Sequence, residues 1–282
     1  MSIITETRAR HATPPLPVTS QVRVTGRRVL RSEWAKLWSL RSTWITLALG
    51  LVFLLAVGAI AAWQYKSSLN SGQPMDDDFT GATTYSLALF GVPFSLIAFG
   101  VLGVLTASGE YTSGMIRSTL AAVPRRLPVL WSKAVVYGAL AFVIGTAGAV
   151  AGFLISSGVL SGTAIAMNIT DGGVLRGLLG AGLYLGLAGV IGVALGTLLR
   201  STAGGISALV GTFLLVPGLM SLLPKSLRTD VTPYLPSNAG ESIFALQHST
   251  GTLSAGAGLL VLLGWTVLAL GGAAYRLTRS DA

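Results

Sequence analysis

The chain has 282 residues, 52% of them hydrophobic and 10% charged, with a formal net charge of +9 and no cysteine. Soluble domains carry roughly 25% charged residues. This composition, with a mean hydropathy of +0.72, therefore excludes a water-soluble globule and describes a bundle of membrane helices. The missing thiols exclude disulfides, thiolate metal sites and cysteine nucleophiles. Glycine, at 36 residues, is abundant in the way that closely packed membrane helices use it.

Residues 1–26 are polar, include Pro14-Pro15-Leu16-Pro17, and read as a disordered cytoplasmic tail. The membrane domain is expected over 27–282, opening with an interfacial helix at 27–41. At 100° per residue, Arg28, Arg31, Ser32, Ala35, Lys36 and Ser39 share one arc of that helix. Val29, Leu30, Trp34, Leu37, Trp38 and Leu40 take the other. A basic face opposite a Trp- and Leu-rich face describes a helix lying in the membrane interface; the alternative is the polar start of the first span. Glu33 falls inside the apolar arc, so it either pairs with a residue of the bundle or snorkels to water. Ser42-Thr43 is the expected break and cap before the next helix.

A helix needs about 20 mainly apolar residues to cross the hydrocarbon core. Six segments meet that length: Thr43–Trp63, Thr84–Ala107, Ala134–Leu160, Leu175–Leu199, Ala203–Leu223 and Leu253–Tyr275. The first begins beyond residue 40 and is too long for a signal-peptide core. The fold class is thus all-α, six transmembrane helices. With both termini inside, only Lys66, Arg176, Lys225 and Arg228 among the basic residues fall outside, whereas Asp76, Asp77, Asp78, Asp171, Asp230 and Glu241 lie there. That asymmetry follows the positive-inside rule, so the basic charge reads as a topology signal and a contact with lipid headgroups. It needs no nucleic acid.

No span carries an ionisable residue in its middle, which disfavours proton relays and charge-selective channels. Gly148/Gly152, Gly173/Gly177, Gly182/Gly186 and Gly192/Gly196 have the spacing of close helix packing. Pro93 and Pro217 should kink spans two and five. Two polar segments stand out. The cytoplasmic loop 108–132 reads SGEYTSGMIRSTLAAVPRRLPVLWS, with a helix expected around Ser113–Val123 and ended by Pro124. Met115, Ile116 and Leu120 on one face suit docking to a cytosolic partner; the alternative is a membrane-surface helix without one. In the outer loop 224–252, Ser237 is expected to cap a short helix reaching Ile243–Leu246, with Glu241 in its first turns. His248 and Asp76–Asp78 read as solvated loop residues. No phosphate-binding GxxxxGK[ST], HExxH or GxSxG motif occurs in the sequence, so the chain is not expected to be an enzyme by itself.

Three stretches, VLRSEWAKLWSLRSTW, GEYTSGMIRSTLAAVPRR with the following Lys133, and YLPSNAGESI, together resemble actinobacterial permeases of the type-2 ABC exporter family. The resemblance extends from about Arg28 to Arg279. It implies an amphipathic helix at the interface, carrying Glu33, Trp34, Lys36 and Trp38 here. It also implies a coupling helix after span two that docks on an ABC ATP-binding subunit, with Glu110, Gly114, Arg117, Pro124 and Arg126 as the corresponding loop residues. Further implications are a homodimer or pseudo-dimer of permeases in the bilayer of the bacterial plasma membrane, ATP and Mg on the partner subunit, and no cofactor on this chain. The expected function is the permease of an ATP-driven exporter. The competing readings are a non-transporting membrane scaffold or immunity protein, and a stand-alone channel or carrier.

Overall fold

The computed structural model describes residues 25–72, 79, 81–116, 126–220, 222, 224–247 and 251–279, with the backbone alone over 225–227. Among these residues every regular element is a helix. They are α1 (Gly26–Ser39), α2 (Arg41–Ser71), α3 (Thr84–Ala88), α4 (Val92–Thr112), α5 (Leu127–Val159), α6 (Val174–Leu199), α7 (Thr202–Val210), α8 (Val216–Met220), α9 (Lys225–Val231), α10 (Pro236–Phe244) and α11 (Ala255–Arg279). Six helical segments are long and apolar enough to cross a membrane: Arg41–Ser71, Thr84–Thr112, Leu127–Val159, Val174–Leu199, Thr202–Met220 and Ala255–Arg279. They coincide with the six apolar windows of the sequence, and most extend past them.

Helix α6 is the hub, packing against α4, α5 and α11. Its central window is 78% buried, against 17% for Thr202–Met220. Glycine makes this possible, because lipid tails are as apolar as leucine and membrane helices gain chiefly from close packing. A Cβ at Gly192 would sit 2.2 Å from the Gly100 carbonyl oxygen, and one at Gly196 would sit 2.6 Å from that of Val104. Gly182 and Gly186 bring the other side of α6 against Thr146 and the backbone of Gly138. Of the spaced pairs, only Gly173 plays a different part: it precedes α6 in a left-handed conformation, φ 89°.

Two local expectations are corrected here. The first break falls at Leu40, in extended conformation (φ −88°, ψ 117°), and Ser42 and Thr43 already lie inside α2. No side chain caps that helix start. Instead Trp44 Nε1 donates to the Trp38 carbonyl at 3.2 Å and its ring meets Trp38 edge-on, which turns the chain earlier. Span two is interrupted, not merely kinked. Leu89–Gly91 separates α3 from α4, Pro93 stands in the first turn of α4, and a Cβ at Gly91 would come within 2.6 Å of the Leu54 carbonyl oxygen. In span five a π-helical turn, Gly211–Leu215, stands just before Pro217; a wider turn accommodates a residue that supplies no N–H.

The loop after span five holds more helix than the single short one expected. There α9, a 3-10 turn at Thr232–Tyr234 and α10 follow one another. The start of α10 is Pro236, with Leu235 before it and no side-chain cap, so Ser237 lies within the helix and is not its cap. Proline supplies a helix-ready φ at that first position, which moves the start ahead of the serine. Helix α10 packs between α6 and α11: a Cβ at Gly240 would overlap the Tyr184 ring, and one at Gly258 would overlap Ser242. His248 and Asp76–Asp78 lie outside the described residues.

Candidate functional site

Helix α1 divides into three faces, not the two expected. Val29, Glu33 and Leu37, spaced four apart, are buried against α5. Arg27, Arg28 and Arg31 are exposed. Trp34 and Trp38 point outward, 46% and 53% exposed, with their rings stacked at 5.3 Å. The apolar arc of the sequence thus separates into a protein-facing stripe and an aromatic face. Glu33, in the protein-facing stripe, is 2% exposed and pairs with the bundle, which decides between its two expected fates.

Two helix extensions meet it there. Helix α4 runs past the apolar window to Thr112, taking in Glu110; α5 begins at Leu127, well before the window, taking in Lys133. Both are buried, at 4% and 8% exposure. Lys133 Nζ donates to Glu33 Oε2 at 2.7 Å and to Glu110 Oε1 at 2.8 Å. Lys36 Nζ donates to Glu33 Oε1 at 2.8 Å and to the same Glu110 Oε1 at 2.9 Å. Two carboxylates and two ammoniums therefore alternate in a closed, electrically neutral ring that ties α1, α4 and α5 together. Each ion, unpaired in a dry interior, would cost several kcal/mol, so the alternation is what makes this burial tolerable. At Lys36, burial pulls the pKa down, but hydrogen bonds and charge from Glu33 and Glu110 outweigh it and hold the ammonium above its ordinary value.

The ring is not fully satisfied. Glu110 Oε2 is buried without a hydrogen-bond partner, and Glu110 lines a cavity of about 20 Å³ together with Tyr111, Ile116, Thr197 and Leu277. That volume suits one water molecule. Beside it, the Arg200 guanidinium stands 5.3 Å from the centre of the Tyr111 ring. Arg200 closes α6 with a left-handed φ of 52°, alone among the described non-glycine residues. Arg126 Nη1 donates to the Leu277 carbonyl at 3.0 Å, fastening the start of α5 to the last turn of α11.

Glu33, Lys36, Glu110 and Arg126 are thus brought to one end of the bundle, whereas Trp34 and Trp38 face away from it. Gly114 follows the end of α4 with φ 70°, a left-handed conformation that glycine adopts without steric penalty. Of the helix expected around Ser113–Val123, Ser113 instead ends α4, Met115 and Ile116 are helical, Ile116 is buried at 7% exposure, and residues 117–123 lie outside the described residues. Arg117, Leu120, Pro124 and Arg125 lie outside the described residues. Lys133, Tyr111 and Arg200 belong to the site and were not among the expected site residues. A signal for Lys133 exists in the sequence, since two acids near helix ends, Glu33 and Glu110, need more than Lys36 for charge balance.

The arrangement holds helices; it contains no nucleophile poised beside a base. No cluster of three or more metal-ligating side chains occurs among the described residues. The same bundle end gathers Arg27, Arg28, Arg31, Arg41, Arg200, Arg276 and Arg279, while Lys66 and Arg176 bond to carbonyls of Val159 and Ala245 at the other. No family model and no curated protein matches this chain.

Proposed function

We propose that this chain is the membrane-spanning permease subunit of an ATP-driven exporter, oriented with both termini in the cytoplasm and α1 in the inner interface. The observation that carries the reading is the ring of buried Glu33, Glu110 and Lys133 closed by half-buried Lys36, next to the segment 114–126. A cytosolic ATPase bound to that segment would pull on Glu110, and through two shared ammoniums on α1 and α5 at once. Binding and hydrolysis of ATP on that partner then bias two arrangements of the bundle, provided ATP binds them unequally. Support also comes from the basic residues collected at this end, which favour a cytoplasmic placement, and from the resemblance to type-2 ABC exporter permeases. Span five, exposed through Leu214, Leu215 and Leu219, offers a face to a second permease copy.

The test is the Glu110→Gln substitution, which keeps the side chain's shape and removes its charge. Inserted at parental levels and still bound to the ATPase, the variant should lose most ATP-dependent export, on the order of tenfold or more, equivalent to about 1.4 kcal/mol of lost coupling. Export at the parental rate by such a well-inserted variant contradicts the role given to the ring.

A further inference from the structure

A groove of about 900 Å³ runs between the first turns of α1 and the outward face of α5. Its walls differ sharply in chemistry. One rim carries Arg27, Arg28 and Arg31; the floor is apolar, made chiefly of Leu30, Val135 and Ala139. Val135 is 59% exposed and Leu30 37%. Among the described residues no carboxylate lines the groove, and the one acid of α1, Glu33, is turned away into the buried ring. We infer that this groove binds one anionic phospholipid, its phosphate on the arginine rim and an acyl chain along α5.

The geometry favours that occupant over others. Guanidinium groups match phosphate oxygens with two parallel hydrogen bonds, and a basic pocket beside a membrane helix is the recognised form of anionic-headgroup recognition. A soluble phosphate would leave the apolar floor uncovered. A zwitterionic lipid would bring its own cation to this arginine rim. A protein segment docking there would compete with lipid for Val135, which lies on the bilayer-facing side of a spanning helix. The ligand sits on the opposite face of α1 from the buried ring, so it would brace the helix that Glu33 and Lys36 attach to α4 and α5. The inference requires the chain to sit in a bilayer and does not require it to transport anything.

Native mass spectrometry of the full chain, released from nanodiscs of equal phosphatidylglycerol and phosphatidylcholine with identical acyl chains, tests it. One phosphatidylglycerol per chain should be retained, at least fivefold over phosphatidylcholine. Arg27→Gln combined with Arg31→Gln should abolish that preference. Val135→Trp, which fills the floor without changing charge, should reduce phosphatidylglycerol retention as strongly; general surface attraction would leave it untouched. Equal retention of both lipids overturns the inference, as does retention unchanged in either variant. Displacement of the bound lipid by millimolar glycerol phosphate would assign the rim to a soluble phosphate compound and overturn it as well.

Discussion

Lys133 holds the account together at the scale of single residues, because it touches both carboxylates from a position 10% exposed at its side chain. Replacing it by Met strands Glu33 and Glu110 with one shared lysine between them. Removing one partner from a buried ion pair costs about 3–5 kcal/mol, so Lys133→Met should lower the unfolding temperature clearly in a nanodisc melt. Glu110→Gln with Lys133→Met removes one charge of each sign and should cost less than the two single changes added together. A strictly additive double variant would mean that the two residues do not interact. The pH dependence follows from Lys36. Its pKa is raised from 10.5, so the stabilisation it gains is complete below about that value and lost only as pH climbs through the higher folded-state value. The deficit of Glu110→Gln relative to the parent should therefore be the same at pH 7 and pH 9. A deficit that shrinks across that interval would show that Lys36 is not held charged.

Between elements, stability depends on where α6 has no side chains. At Gly192 and Gly196 an added methyl group meets carbonyl oxygens of α4 at 2.2 and 2.6 Å, and backbone cannot move aside as a side chain does. Gly192→Ala should force α4 and α6 apart and cost roughly 2 kcal/mol or more, within the upper range for overpacking. Gly264→Ala in α11, with no atom within 4 Å of its Cβ, should cost nothing. Equal effects of the two would remove close packing as the reason for the glycines. The sequence shows these glycines by their spacing, and it shows the six spans because twenty apolar residues admit few other readings. It does not show the break in span two. Pro93 marks a disturbance there, but the interruption depends on Gly91 lying against the Leu54 backbone, a contact between distant segments. Glu33 is legible as anomalous because helical periodicity places it among Val29 and Leu37. Lys36, three residues on, is legible as one partner; charge balance hints at Lys133 but does not place it against Glu33, because it lies one hundred residues away, in a helical turn that hydropathy assigns to the margin of a span.

For the whole molecule, the described structure is an α-helical bundle with six segments fit to cross a membrane. Its outward side chains include Ile45, Val52, Ile60, Leu260, Val267 and Leu268, an apolar surface that water would not tolerate at this extent and that lipid does. Charge is concentrated at one end, and the buried ring lies at that end, beside the segment proposed to meet a partner. The sequence holds no GxxxxGK[ST] loop, and Glu33, Lys36, Glu110 and Lys133 neutralise one another at that end. Under the proposed reading an ATP-hydrolysing partner would supply the driving force, and the ring would give that partner a path to three helices.

The most direct measurement is affinity purification of the tagged full chain from its native membranes in mild detergent, with mass spectrometric identification of what elutes with it. An ATPase carrying a Walker motif, in near-equal amount and lost when residues 114–126 are replaced by a Gly/Ser linker, is the outcome expected of a permease coupled through this end of the bundle. A chain that elutes alone from several mild detergents, or an ATPase that stays bound after the segment is replaced, contradicts it.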